Sequence, residues 1–147
     1  GLVMAGAAVP DAENMACRER RPLPRALVLA GTEDKFSPYA GGHVRILGSD
    51  RGVVRSAEDS VRWLAGEGAS EVAEAKTQTG PVQRRSWRSA TGHRADLLTL
   101  QGGGHTVPQP RTHFPKLLGP TVQSIDAAEL AAETFGWSTE PAASRTP

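Results

Sequence analysis

The sequence is poor in several features that would indicate a specialised class of protein. Its 147 residues contain one cysteine, Cys17, so no internal disulfide can form. Aromatic residues make up 5% of the chain, so a core has to be built mainly from aliphatic side chains. No apolar run approaches the roughly 18 residues that a membrane-spanning helix needs. The formal net charge of +1 gives no electrostatic reason to expect a nucleic-acid or membrane partner.

Length and composition fit one globular domain, with 38% hydrophobic and 22% charged residues. We assign residues 1–137 to this domain and predict a disordered tail at residues 138–147. Residues 18–21 form the densest basic run, for which we predict a solvated loop. The chain starts at Gly1 within an apolar stretch and without a charged leader, so we expect a fragment of a longer protein.

The hydrophobic pattern predicts alternating strands and helices. We predict strands at residues 26–31, 82–88 (exposed) and 95–100, and helices at residues 56–68 and 124–135. The first strand is continuously apolar, as is typical of a parallel strand buried on both faces. Ser56 followed by Asp59 forms a capping box that predicts where the first helix begins. This order favours the α/β class, with a mostly parallel sheet and flanking helices.

An acidic residue, Asp34, follows the first predicted strand. In open α/β sheets, sites form beyond the carboxyl ends of the strands. A carboxylate there can accept a hydrogen bond from a histidine ring, fix its tautomer and stabilise the imidazolium that forms during catalysis. An aspartate in a turn close to Pro38 also fits a purely structural role.

His105 follows the last predicted strand and the three glycines at residues 102–104. Glycines allow a positive φ and a close approach of the backbone, so this loop can direct the ring into a cleft. A general base needs a fixed position and partial exposure. In α/β-hydrolases the catalytic triad runs serine, acid, histidine along the chain, and Asp34 and His105 occur in that order. The pair therefore predicts a triad acid and base, although either residue alone could be incidental.

The residues around both positions resemble motifs of the polyhydroxybutyrate depolymerase and feruloyl esterase group of secreted α/β-hydrolases. The acid motif of that group, His-Gly-Thr-x-Asp followed by Pro-Tyr and Gly-Gly, is similar to residues 30–34, 38–39 and 41–42. Its histidine motif, Gly-Gly-Gly-His-Thr-Trp-Pro, is similar to residues 102–108. Its last helix begins near Ile-Asp-Ala, which is matched at residues 125–127. The resemblance implies that Asp34 is the triad acid and His105 the triad base.

Three departures from this pattern stand within residues 22–136, the part of the chain that the resemblance covers. Ala30 replaces the histidine before Gly-Thr, and Val107 replaces the tryptophan. No Gly-x-Ser-x-Gly sequence, the usual site of the nucleophile, occurs in the chain. In the group this sequence precedes all the matched motifs. The resemblance therefore implies that residues 1–137 are the C-terminal part of an α/β-hydrolase domain, with the nucleophilic serine upstream of this chain.

The resemblance implies carboxylic ester hydrolysis, of the polyhydroxyalkanoate depolymerase or feruloyl or acetyl esterase type. The missing serine would attack the ester carbonyl, while His105 would take its proton and Asp34 would orient His105. No metal or organic cofactor is implied, and the partner is an ester substrate, either a polyester or an acylated carbohydrate. The group is usually exported, so we expect an extracellular or periplasmic location. Without the serine we expect the fragment to be inactive alone.

Other functions also fit the sequence. The chain could be a non-catalytic α/β binding domain in which Asp34 and His105 are relics. A peptidase or thioesterase on the same fold is the nearest enzymatic alternative. A zinc site is disfavoured because the four histidines, His43, His93, His105 and His113, match no zinc-binding spacing. Among esters, a polyester, a feruloyl sugar and a small acyl ester all stay open.

Overall fold

The computed structural model describes residues 1–17, 23–46, 48–73 and 77–137. The strands are β1 (Leu2–Ala5), β2 (Arg25–Gly31), β3 (Gly42–Ile46), β4 (Ser49–Val54), β5 (Ser70–Glu71), β6 (Thr77–Thr79), β7 (Val82–Arg88) and β8 (Arg94–Leu100). The helices are α1 (Ala57–Ala65) and α2 (Ala127–Phe135). No helix within these ranges is long and apolar enough to cross a membrane. The predicted loop at residues 18–21 and the predicted tail at residues 138–147 lie outside the described residues.

The main sheet has the strand order β1-β2-β8-β7-β5, with β6 also paired to β7. The first three of these strands are parallel, so that Leu27 lies between Val3 on one side and Asp96 on the other. β7 runs antiparallel to β8, with Trp87 opposite Ala95. β3 and β4 form a separate antiparallel pair. Parallel pairing is therefore confined to one half of the described main sheet.

The prediction of a mostly parallel α/β-hydrolase sheet with flanking helices is wrong. The described residues form a mixed sheet with two helices, and 20% of them are helical and 32% in strands. β7 and β8 are joined by the short turn at residues 89–93, and a parallel pair would need a crossover of about a dozen residues or more. The strand at residues 82–88, which we expected to be exposed, is instead paired on both of its sides.

Of the three parallel strands, β2 and β8 are buried on both faces, as the continuous apolar run of β2 predicts. Successive side chains of a strand point to opposite faces, so this run supplies two layers of core. The layer between the sheet and α1 includes Val28, Val61, Leu64, Trp87 and Leu97. The layer on the α2 side includes Leu27, Leu29, Leu98, Leu100 and Ala127. Each such leucine contributes about 1.5–3 kcal/mol when it is removed from water.

α1 begins at the capping residue that the sequence predicts, whereas α2 begins at Ala127, three residues after the predicted start at residue 124. The Ser56 hydroxyl accepts a hydrogen bond from the Asp59 backbone N–H at 3.0 Å and donates to the Asp59 carboxylate at 2.8 Å. The Asp126 carboxylate accepts from the backbone N–H of Ala128 at 2.8 Å, which caps α2. α1 is shorter than the predicted helix at residues 56–68, because it ends at Ala65 and Gly66 follows with a positive φ.

A buried carboxylate, Asp96, lies on the α2 face of β8. It has no exposed surface and accepts hydrogen bonds from Ser86 Oγ at 2.5 Å, Arg84 Nη2 at 2.6 Å and Arg94 Nε at 2.8 Å. Burial alone would raise the pKa of Asp96, but these three donors outweigh the burial and hold the pKa below its usual range. The ionised carboxylate is therefore part of the folded state.

We expect acid to remove the stability that Asp96 supplies. Because the folded-state pKa of Asp96 lies below the unfolded value of about 3.9, its contribution is complete above that value and is lost as the pH falls through the folded-state pKa. Urea unfolding from neutral to strongly acidic pH measures this dependence. Asp96→Asn should weaken it and lower the free energy of unfolding at neutral pH by about 3 kcal/mol, since the arginines lose their buried partner. An undiminished acid dependence in Asp96→Asn contradicts this account.

Candidate functional site

Three parallel strands end at one edge of the sheet and bring the candidate residues there. β1 is followed by Gly6, and β2 ends at Gly31, shortly before Asp34. β8 ends at Leu100, and His105 follows in the next loop. The carboxyl ends of neighbouring parallel strands share an edge, so residues distant in sequence meet there. Asp34 and His105 are 71 positions apart in the chain and are hydrogen-bonded to each other.

The carboxylate of Asp34 is held by the turn that follows it. Its Oδ1 atom accepts hydrogen bonds from the backbone N–H groups of Phe36 and Ser37, both at 2.8 Å. Its side chain is 2% exposed. The two backbone donors fix the rotation of the carboxylate, which leaves the second oxygen, Oδ2, available to His105.

The loop after β2 and the loop after β8 are joined through their backbones. The N–H of Thr32 donates to the Leu100 carbonyl at 3.0 Å, and the N–H of Glu33 donates to the Gly103 carbonyl at 2.9 Å. At Gly31 a Cβ would lie only 2.2 Å from the Gly103 carbonyl oxygen. This contact requires glycine, because atoms of two backbones cannot be moved aside as a flexible side chain can.

The segment that carries His105 is also held from its other side. The N–H of His105 donates to the Leu118 carbonyl at 2.6 Å, and the N–H of Gly104 donates to the Pro120 carbonyl at 2.8 Å. A Cβ at Gly104 would lie 2.3 Å from the Leu118 carbonyl oxygen. The glycines before the histidine therefore serve close packing of three chain segments, which gives the ring a fixed position.

The hydrogen bond between Asp34 and His105 sets the chemistry of the imidazole. Nδ1 of His105 lies 2.9 Å from Oδ2 of Asp34. An ionised carboxylate has only acceptor atoms, so Nδ1 carries the proton in this pair and Nε2 of the neutral ring carries the lone pair. The His105 side chain is 35% exposed, and its ring lies against Phe36 at a centroid distance of 5.3 Å. An oriented, accessible imidazole of this kind can take a proton from a neighbouring hydroxyl.

Sequence reasoning missed Gly6, which completes the packing around the histidine. A Cβ at Gly6 would lie 3.2 Å from Nδ1 of His105, so the backbone after β1 approaches the ring directly. Gly6 is held there because its N–H donates to the Leu29 carbonyl at 3.1 Å. The only signal in the sequence is a glycine at the end of a short apolar run, which is too common to predict a site.

Two cavities lie close to the candidate pair in the described residues. The cavity beside Asp34 and Gly6 has a volume of about 10 Å³, roughly enough for one water molecule. A groove of about 260 Å³ runs between Glu33 and Lys35 on one loop and residues 116–120 on the other. A cavity of about 540 Å³ along α2 shares no residue with the candidate pair or this groove. Neither Asp34 nor His105 lines this groove, but its walls belong to the two chain segments that are hydrogen-bonded to the backbone around His105.

The described residues do not complete a catalytic centre. Among them, no hydroxyl or thiol is hydrogen-bonded to Nε2 of His105. Within the same ranges, no group of three His, Cys, Asp or Glu side chains is placed to hold a metal ion. Of the positions where the sequence departs from the esterase motifs, Ala30 is buried under the site and Val107 is 42% exposed beside it.

Comparison of the chain with models of protein families, with curated proteins and with solved structures found no match. The resemblance to polyhydroxybutyrate depolymerases and feruloyl esterases therefore rests on the motif residues of this chain.

We expect Gly31→Ala to disrupt the site by pushing the two loops apart. The new methyl group would meet the Gly103 backbone and should cost about 3 kcal/mol, the upper end for overpacking. Gly102→Ala is the matched control, because a Cβ there meets nothing within 4 Å and adds only the cost of its positive φ, about 1–2 kcal/mol. Thermal unfolding measures both, and the NMR signal of the His105 Nδ1 proton reports the bond to Asp34. Equal losses in the two variants would contradict the steric account.

Proposed function

We propose that this chain supplies the acid and the base of a Ser-Asp-His triad for carboxylic ester hydrolysis. The observation that carries the proposal is the hydrogen bond from His105 Nδ1 to Asp34 Oδ2, at 2.9 Å, with the other Asp34 oxygen already occupied by two backbone donors. The nucleophilic serine belongs, in this proposal, to sequence outside this chain.

In the proposed reaction, Nε2 of His105 accepts the proton of the serine hydroxyl as the serine oxygen attacks the ester carbonyl. The result is a tetrahedral oxyanion and an imidazolium. The imidazolium then donates this proton to the leaving alkoxide as the C–O bond breaks, which leaves an acyl-enzyme and an alcohol. Water attacks the acyl group with the same assistance, releasing a carboxylic acid and restoring the serine and the neutral ring.

Asp34 acts through His105 and does not itself take up the proton. Its buried negative charge stabilises the imidazolium, and its fixed geometry keeps Nδ1 as the donor. A second histidine–aspartate pair, His43 and Asp50, is also hydrogen-bonded, at 2.7 Å, and differs from Asp34 and His105 in its exposure. Their side chains are 58% and 48% exposed, and the pKa of Asp50 is lowered first by the Gly52 backbone N–H and then by His43. This second pair lies on the β3–β4 hairpin, which is not part of the main sheet.

We place the ester substrate in the groove between residues 33–35 and residues 116–120, whose walls adjoin the segments that carry Asp34 and His105. Its walls combine apolar surface, including Leu117 at 72% exposure, with the charged side chains of Lys35 and Lys116. The apolar surface suits the acyl part of an ester, and the lysines suit substrates that also carry negative charge. Both a polyester and an acylated carbohydrate stay open as the substrate class.

A second candidate function is a non-catalytic binding domain in which the pair is a relic. The observation that favours it is that Nε2 of His105 has no hydroxyl or thiol partner among the described residues. The two candidates differ in whether a serine reaches His105 in the protein as it is expressed.

The decisive experiment is p-nitrophenyl butyrate hydrolysis by two proteins, the 147-residue chain and the product of the complete reading frame that contains it. We expect no His105-dependent turnover by the chain alone, because it lacks the nucleophile. In the complete product, His105→Ala and Asp34→Asn should each lower kcat by about 10⁴-fold or more, since triad members act as a unit. His43→Ala and Asp50→Asn are the matched controls and should leave kcat unchanged.

Three results would count against the proposal. Full activity of His105→Ala in the complete product would remove His105 from the reaction. Lack of any serine that a fluorophosphonate reagent labels in that product would favour the relic. Turnover by the 147-residue chain that depends on His105 would show that a serine within this chain is the nucleophile, and the proposed division of the triad would be wrong.

A further inference from the structure

Three arginines surround the buried carboxylate of Asp96 at the other end of the parallel strands. Arg25 is the first residue of β2 and Arg94 the first of β8, while Arg84 lies on the neighbouring strand β7. We call Arg25, Arg84 and Arg94 the arginine cluster. Asp34 and His105 follow the carboxyl ends of β2 and β8, so the cluster and the candidate catalytic pair lie at opposite ends of the same two strands.

The arginine cluster carries more positive charge than its partner can neutralise. Arg84 and Arg94 hydrogen-bond to Asp96, at 2.6 and 2.8 Å. Arg25 lies 3.9 Å from the same carboxylate, which is an ion pair without a hydrogen bond. Within the described residues, no other carboxylate lies within 4 Å of these three guanidinium groups. Two positive charges are therefore left without a counterion in this part of the chain.

Hydrogen bonding in the cluster is also incomplete. The Nε atoms of Arg25 and Arg84 are buried, and neither has an acceptor among the described residues. The side chains nevertheless reach solvent, with 37%, 23% and 28% of Arg25, Arg84 and Arg94 exposed. Because the Nε atoms are buried, the exposed parts of Arg25 and Arg84 lie elsewhere on the side chain. The three arginine side chains are thus paired with Asp96 on their buried side, while their exposed atoms can be reached by a ligand.

The hydrogen bonding of Asp96 is complete without the third arginine, Arg25. Asp96 has no exposed surface, and Ser86, Arg84 and Arg94 already donate three hydrogen bonds to it. Adding Arg25 brings like charges together, which is unfavourable unless a further anion is present. The register also places a fourth cation, Arg88, opposite Arg94 on the same face of the sheet.

We propose that the arginine cluster binds a phosphate group, either free phosphate or a phosphate monoester. Two uncompensated positive charges are balanced by a phosphate dianion, whereas a single carboxylate would balance only one of them. Guanidinium groups also bind phosphate oxygens through paired N–H donors. The ligand lies over the outer sides of Arg25, Arg84 and Arg94, while Asp96 holds Arg84 and Arg94 in place from within. The inference is independent of ester hydrolysis, since no residue is shared with the candidate catalytic pair.

Titration calorimetry with inorganic phosphate, at ionic strength held constant with sodium chloride, tests the proposal. We expect saturable binding and a rise in Tm that sodium chloride does not reproduce. Arg25→Gln, which leaves every hydrogen bond to Asp96 intact, should weaken binding by about tenfold or more, the effect of one charged hydrogen bond. Arg51→Gln makes the same change of charge at an exposed position on β4 and should bind phosphate normally.

Glycerol phosphate, titrated in parallel, distinguishes the ligands: tighter binding indicates a monoester, and equal or weaker binding indicates free phosphate.

A second measurement on the unaltered protein covers the case in which Arg25→Gln fails to fold. Phosphate should protect Arg25 and Arg94 from modification by phenylglyoxal, as mapped by peptide mass spectrometry, and should leave Arg51 unprotected. No saturable binding, equal weakening in Arg25→Gln and Arg51→Gln, or equal protection of all three arginines would each overturn the proposal.

Discussion

The parallel pairing of β2 with β8 is the constraint on which the rest of the molecule depends. Their register aligns Arg25 with Arg94 at one end and Gly31 with Leu100 at the other. The loops that follow therefore begin side by side, and the chain brings an aspartate and a histidine together without further adjustment. The same register fixes where the charged residues gather at the opposite end. A shift of one residue would reverse the face of every side chain on the strand and dissolve both arrangements.

That pairing also demands an unusually close approach between backbones beyond the strand ends. Gly31 and Gly103 touch, and Gly104 touches Leu118, at distances that no side chain would allow. Three segments separated in sequence are held together by main-chain hydrogen bonds, so the imidazole position is set by backbone geometry more than by side-chain packing. A site built this way tolerates changes on the groove walls, while its glycines cannot be exchanged.

The sequence predicts the elements whose signals are local. β2 is predicted because its run is continuously apolar, and the start of α1 because Ser56 is a good cap. The direction of β7 is not predicted, since a hydrophobic pattern does not depend on whether a strand runs parallel or antiparallel to its neighbour. The polar residues Gln83, Arg84 and Arg85 led us to expect an exposed strand. The β3–β4 hairpin is missed because five of its eleven strand residues are polar and two are glycine, so no continuous apolar run marks it. Without these antiparallel elements the fold class was assigned wrongly.

The candidate site is predicted only in part, because sequence patterns report side chains and the site also depends on backbone groups. Asp34 and His105 carry motifs that stand out in the sequence, whereas Gly6 and the Leu118 carbonyl contribute only backbone, which no side-chain pattern encodes. Asp96 was also missed, because a single aspartate in an apolar strand gives no sign of the arginines that come from other strands.

The length of β2 sets the distance between the charged groups at its two ends. Six residue steps separate Arg25 from Gly31, which at about 3.3 Å per residue places the two ends of the strand roughly 20 Å apart. Salt at physiological strength damps the field of a partly exposed charge within about 8 Å. Between two unit charges at this separation, the direct interaction is about 1 kcal/mol or less at an effective dielectric constant of 20. A change of charge at one end of β2 and β8 therefore has only a small effect at the other end, and each end can be altered by substitution with little effect on its counterpart.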